Sequence, residues 1–240
     1  MKISKITKAI RKILPLQYCG AVIVAAGNAS RMGGIDKIMA PLGGEPVILR
    51  TIRAFQESEV IREIVIVTRT DLIDPIMDLC QGFDKVQAVV CGGSSRPESV
   101  EHGLSALSNK VKLVAIQDGA RPLVSWQVID RTVRAAHSYG AAAPAVPVKD
   151  TIKQTQCGFV TGTPDRNALR AVQTPQVFDK DLLRAALELA AKKNIPITDD
   201  CSAVELMGAS VRLVEGEERN IKITTPLDLK IAQLLLEEEV

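Results

Sequence analysis

From Gly20 onward, short apolar runs at 21–25, 64–67, 88–90, 113–116 and 141–146 alternate with segments of longer, helical periodicity at 46–56, 97–107 and 125–138. The runs are continuous rather than alternating in polarity, which is the mark of strands covered on both faces. Strand and helix in strict succession leave few folds open. A parallel α/β sheet with helices on both faces follows, a Rossmann-like three-layer domain of the α/β class. In such sheets ligands collect beyond the carboxyl ends of the strands. That rule joins three distant loops: the one after Ala25, the Gly92-Gly93-Ser94-Ser95 turn, and Gln117-Asp118-Gly119-Ala120-Arg121.

The later part of the chain breaks the alternation. Segments 148–155 and 158–162 are strand-like and joined by Gln156-Cys157, which predicts a hairpin arm. A helix is expected over 179–193, then an acidic turn at Thr198-Asp199-Asp200, a strand at 211–214 and a last helix from Pro226 to about Glu237. The first 17 residues carry Ile3, Ile6, Ile10 and Ile13 between lysines and arginines, with Pro15 as a stop. They read as a basic amphipathic extension that packs on the body, since a single short basic helix binds a membrane surface weakly. The rest, 18–240, reads as one domain.

The first loop is the most informative. Ala25, Ala26 and Gly27 end a buried strand with little side-chain bulk, so a ligand can lie against their backbone, and Arg31 and Lys37 follow with the charge a triphosphate needs. A dinucleotide fingerprint fails because Ala29 and Met32 stand where glycines are required, and a Walker loop fails because no Gly-Lys-Ser or Gly-Lys-Thr occurs. A plain strand-turn-helix link with surface cations is the alternative. Asp118, at the end of its own strand, is the best candidate for a magnesium ligand, since one carboxylate plus substrate phosphates is a usual magnesium arrangement. Alternatively it caps its turn and pairs with Arg121. The Gly92-to-Ser99 segment suits base or ribose recognition, or else simple helix capping by its serines.

Composition removes several other chemistries. Thirty basic and 28 acidic residues leave a net charge of +2, which argues against a nucleic-acid partner. Five cysteines without a Cys-x-x-Cys pair read as reduced packing residues, and two isolated histidines offer neither a zinc site nor a catalytic triad. No apolar stretch reaches membrane-spanning length and no secretory signal stands out, so the expected location is cytoplasmic.

Taken in order, the motifs resemble those of the 2-C-methyl-D-erythritol 4-phosphate cytidylyltransferases, of the nucleotidyltransferase superfamily, over most of 20–236. They are Ala25-Ala26-Gly27 with Lys37, Gly92-Gly93 with Ser99-Val100, Asp118 with Arg121-Pro122, Pro147-Val148-Lys149-Asp150-Thr151, Arg166-Asn167, Gln173-Thr174-Pro175-Gln176, Thr198-Asp199-Asp200, and Val214-Glu215-Gly216 with Asn220-Ile221-Lys222. The resemblance implies cytidylyl transfer from CTP to a polyol phosphate with Mg2+, in a homodimer formed through a projecting β-arm, roughly 148–168 here. It implies Arg31 and Lys37 as the catalytic cations. Ala25, Ala26, Gly27, Gly93, Ser94, Ser99 and Asp118 would hold the nucleotide, Asp118 also the metal. Arg121, Thr151, Thr174, Thr198 and Lys222 would line the acceptor side, with Arg166 reaching in from the other subunit. Gln117, where many relatives carry histidine, and Ala29, where many carry glycine, depart from the pattern. A cytidylyltransferase for another polyol phosphate, such as ribitol 5-phosphate, and a non-catalytic nucleotide-binding protein remain as alternatives.

Overall fold

The computed structural model describes residues 15–27 and 36–238. The first half runs β1 (Cys19–Val24), β2 (Pro41–Leu42), β3 (Glu45–Pro46), α1 (Val47–Glu57), β4 (Ile61–Thr68), α2 (Ile73–Leu79), β5 (Val86–Cys91), α3 (Arg96–Ala106), β6 (Leu113–Asp118) and α4 (Trp126–Tyr139). The second half runs β7 (Ala141–Pro147), β8 (Gln154–Gln156), β9 (Phe159–Gly162), β10 (Arg170–Val172), β11 (Gln176–Asp179), α5 (Lys180–Lys192), α6 (Asp200–Leu206), β12 (Arg212–Glu215) and α7 (Pro226–Glu237). The main sheet has the order β10-β7-β11-β6-β1-β4-β5, with β12 on the other side of β7. Strands β6, β1, β4 and β5 are mutually parallel, as is β12 with β7, whereas β10 and β11 run antiparallel. The expected mostly parallel sheet is present.

Successive residues of one strand go to opposite sides, and both sides are covered. Ile23, Ile64 and Ile66 pack with Ile48, Ile52 and Phe55 of α1 and Val128, Ile129 and Val133 of α4. Val22, Val65 and Val67 pack instead with Val100 and Leu104 of α3 and Leu183 of α5. This double burial explains why the strands read as unbroken apolar runs, each such side chain contributing about 1.5–3 kcal/mol. Helix α3 lies close to the sheet because Gly103 carries no Cβ; one added there would stand 2.3 Å from Val22 Cγ1.

Six elements were not expected from the sequence: β2, β3, α2, α6, β10 and β11. Helix α6 follows directly on the stretch read as an acidic turn, with Asp199 as its N-cap and a reciprocal capping box to Ser202. Strand β11 has only four residues yet sits between β6 and β7. It is too short for its period to register. The hairpin is also shorter than expected, because 148–153 is not strand. Its turn is Cys157-Gly158, not Gln156-Cys157: Gln156 pairs with Phe159, and both turn residues have positive φ, 51° and 84°. Two-residue hairpin turns require that left-handed backbone.

Arg31 and residues 1–14 of the 1–17 extension lie outside the described residues. Among the described residues, no helix is long and apolar enough to cross a membrane.

Candidate functional site

Four parallel strands deliver their carboxyl ends, Val24, Thr68, Cys91 and Asp118, to one rim. The loops stay in register just past it: Ala25 N donates to Val67 O (2.7 Å), Gly92 N to Thr68 O (2.7 Å) and Gly119 N to Val24 O (2.9 Å). Above them is a cleft of about 500 Å³ whose lining includes Ala25, Ala26, Gly27, Lys37, Gly93, Ser94, Ser99, Asp118 and Lys222. Gly92 is required there, because a Cβ on it would meet Ala26 Cβ at 2.4 Å.

The Gly92–Ser99 turn is tied to itself. Ser99 Oγ accepts from Gly93 N (3.1 Å) and donates to Ser95 O (2.9 Å), while Ser94 donates through both N and Oγ to Glu98 (2.7 and 2.6 Å). The serine that caps α3 is Ser95, whose hydroxyl accepts from Glu98 N. Ser99 thus shapes the loop through its hydroxyl, and the backbone N–H groups of Gly92, Gly93 and Ser94 are all engaged within the chain.

Asp118 is the electrostatic centre. Its Oδ2 lies 2.9 Å from Lys222 Nζ and 3.3 Å from Arg121 Nε, and its Oδ1 lies 3.6 Å from Arg96 Nη2. Burial pushes the Asp118 carboxyl up, but Lys222, Arg96 and Arg121 together hold it below the ordinary carboxylate range. Asp118 thus pairs with Arg121, as the alternative reading had it, and it also lines the cleft. Thr174 and Asn220 support it from behind. Thr174 Oγ1 accepts from Asp118 N (3.1 Å), Asn220 Nδ2 donates to Thr174 O (2.9 Å), and Arg121 Nη1 donates to Asn220 O (2.6 Å). Arg121 and Thr174, expected on the acceptor side, are thus engaged in holding the Asp118 strand end.

Lys37 is carried by a turn that the chain pins at its start. Asp36 Oδ1 accepts from Ile38 N (2.9 Å) and its Oδ2 pairs with Arg69 Nη2 at 2.5 Å, just past β4. Burial raises the Asp36 carboxyl, and the Arg69 and Ile38 bonds outweigh it, leaving the group below its usual value. Asp36, Arg69 and Arg96 were missed in the sequence. The signal available for Arg96 was its place directly before Pro97 at the start of a helix; nothing local marked the Asp36–Arg69 pair, which joins residues 33 apart.

Of the expected acceptor-side residues, Lys222 lines the cleft, and Arg121, Thr151, Arg166, Thr174 and Thr198 lie outside its lining. Thr151 and Thr198 are exposed. Arg166 Nη1 donates to Lys149 O (2.8 Å), beside a second hollow lined by Pro147, Asn167 and Arg170.

Small residues and backbone donors at parallel strand ends, fixed cations, and one carboxylate among them make the arrangement of a nucleotidyltransferase. The family model for 2-C-methyl-D-erythritol 4-phosphate cytidylyltransferase matches residues 19–238, and the chain belongs to that family. It is 45% identical over 221 residues to the enzyme of that name from Caldanaerobacter subterraneus, covering 90% of this chain and 97% of that one. It is 44% identical to the one from Symbiobacterium thermophilum, with 91% and 92% covered. Among solved structures, 4-diphosphocytidyl-2C-methyl-D-erythritol synthase from Anaerococcus prevotii superposes with a TM-score of 0.84 at 32% identity, covering 98% of this chain and 100% of that one. The Thermus thermophilus 2-C-methyl-D-erythritol 4-phosphate cytidylyltransferase gives 0.75 at 33%, covering 92% and 100%.

Proposed function

We propose that this protein transfers the cytidylyl group of CTP to 2-C-methyl-D-erythritol 4-phosphate, releasing pyrophosphate, in the non-mevalonate route to isoprenoid precursors. The observation that carries the reading is the Asp118 carboxylate held at the strand ends by Lys222, Arg121 and Arg96, above the small-residue floor of the cleft. An acceptor phosphate oxygen attacks the α-phosphorus of CTP, the new O–P bond forms, and the bond to the β-phosphate oxygen breaks with its electron pair leaving on pyrophosphate. No protein nucleophile is needed, since the attacking phosphate is already anionic. Lys37 and Arg31 stabilise the charge that gathers on the five-coordinate phosphorus. Ala25, Ala26, Gly27, Gly93, Ser94 and Ser99 seat the nucleotide, and Lys222 borders the acceptor phosphate together with Arg121, Thr174 and Thr198.

Magnesium fits the donor set. Asp118 is the one carboxylate among the described residues lining the cleft, and no three His, Cys, Asp or Glu among the described residues form a metal cage of their own. A hard cation held by Asp118 and the triphosphate suits that chemistry, and it would neutralise phosphate charge when bound. Thr151 adds a hydroxyl on the acceptor side, Arg166 belongs to a neighbouring subunit's site in a cytoplasmic homodimer joined through the β8–β9 arm, and the extension over 1–17 is accessory to the 18–240 domain.

Pyrophosphate release with CTP tests the reading. The expected result is release with 2-C-methyl-D-erythritol 4-phosphate, weak release with ribitol 5-phosphate, and kcat/KM for CTP far above those for ATP and GTP. Release only with the ribitol ester moves the protein to the other polyol class, and release with neither ester leaves a nucleotide-binding protein without transfer.

A further inference from the structure

Asp200 is completely buried, and burial pushes its carboxyl up even though Arg96 pulls it back down. Its Oδ2 accepts from Arg96 Nη1 at 2.5 Å, and its Oδ1 has no hydrogen-bond partner. A fully buried, half-satisfied carboxylate is costly, so a fold without use for it would replace it. The start of α6 does not need it: the N-cap is Asp199, already closed in a box with Ser202. Arg96 is equally out of place on local grounds. It is the first residue of α3, where the helix dipole disfavours a cation. Its guanidinium spans two carboxylates, Asp200 behind and Asp118 in front, the latter at 3.6 Å. The charged groups around Asp200 are Arg96, Asp118 and Asp199.

The other cations on Asp118 are differently held. Lys222 Nζ reaches it from a side chain that is 40% exposed, whereas Arg96 is gripped from the interior. Lys222 can move to meet a phosphate; Arg96 cannot without leaving Asp200 unpaired.

We infer that Asp200 and Arg96 form a positioning pair for the transfer reaction, the buried carboxylate bracing a two-pronged guanidinium that fixes the orientation of Asp118 while Lys222 answers the ligand. The inference rests on the cytidylyltransferase reading of the cleft and adds to it Asp200, which meets Asp118 only through Arg96, and Arg96, whose guanidinium lines the cleft beside Asp118. A planar fork can hold two carboxylates at set angles, and a lysine, a point charge on a flexible stem, cannot.

The test uses Asp200→Asn, Arg96→Lys and the double variant of the full chain, with CTP and 2-C-methyl-D-erythritol 4-phosphate, and thermal melting of each. Positioning acts on the transition state, so each single variant is expected to lose about 10- to 100-fold in kcat with the KM for CTP within about threefold. The double variant is expected to be no worse than the poorer single one, because both changes break one device. Three results overturn the pair: Asp200→Asn or Arg96→Lys within about twofold of wild-type kcat, losses that multiply in the double variant, or losses that follow the melted fraction. If wild type itself gives no transfer, the cytidylyltransferase reading fails first, and the pair with it. Should Asp200→Asn not fold, Arg96→Lys decides alone, since Lys keeps the charge and removes only the fork.

Discussion

The strand-end cleft and the β8–β9 arm are built on opposite principles. Every residue of β6 is buried, and the loops above it are tied back by hydrogen bonds to the strands and to each other. In the arm, all residues of β8 and β9 are exposed except the partly covered Gly162, with Phe159 at 78% and Val160 at 60%. A two-stranded hairpin of this kind is at best marginally stable alone. The cleft is therefore a site one chain preforms, and the arm is a surface that gains its worth from something laid against it. A second copy in a twofold contact is the economical occupant under the proposed function.

The sharpest way to break this contrast is to remove the cleft's charge. Lys37→Ala and Arg31→Ala are each expected to reduce turnover by on the order of 100-fold or more while leaving the melting temperature within a few degrees, since each acts on charge present only in the transition state. Steady-state rates beside melting curves check it. Near-normal turnover would place the chemistry elsewhere.

Next comes the division of labour between subunits. Arg166→Ala and Lys37→Ala chains are each expected to be nearly inactive. Equal mixing with subunit exchange makes half the dimers mixed, each with one intact site of two, so about a quarter of wild-type activity should return. Exchange without recovery means that Arg166, seen here against Lys149 O, serves its own chain or none.

Legibility in the sequence followed the same divide. Ala25, Ala26, Gly27, Gly93 and Asp118 were readable because each lies within a few residues of the strand that delivers it, and the apolar runs of those strands are long enough to show. Arg96 and Asp200 were not paired in the reading because 104 residues separate them and neither stands out locally. Lys222 and Thr174 entered only through family resemblance, since nothing in Asn220-Ile221-Lys222 announces that it folds back onto Asp118. Strand β10 is three exposed residues beside a polar segment, a pattern that period counting cannot separate from loop. The arm was legible as a hairpin, but its turn was misplaced by one residue because Cys157 does not advertise a positive φ as glycine does.

The last prediction compares one small change on each side of the divide. Gly103→Ala should destabilise the chain by about 1–3 kcal/mol, because the new methyl would lie 2.3 Å from Val22 Cγ1 and 2.9 Å from Val67 Cγ2, on stiff β-branched side chains of the strands beneath α3. The sign matters: in an open helix the same exchange would stabilise by about 1 kcal/mol through helix propensity, so a net loss measures the overpacking directly. Phe159→Ser should change the unfolding free energy of an isolated subunit by no more than about 0.5 kcal/mol, since its ring buries little within its own chain. Its effect belongs to association, seen as a shift toward monomer in sedimentation as the protein is diluted. Urea unfolding at low concentration separates the two quantities. A large loss of subunit stability from Phe159→Ser, or none from Gly103→Ala, would mean that the arm is held by its own chain or that the cleft's supporting layer is looser than its packing implies.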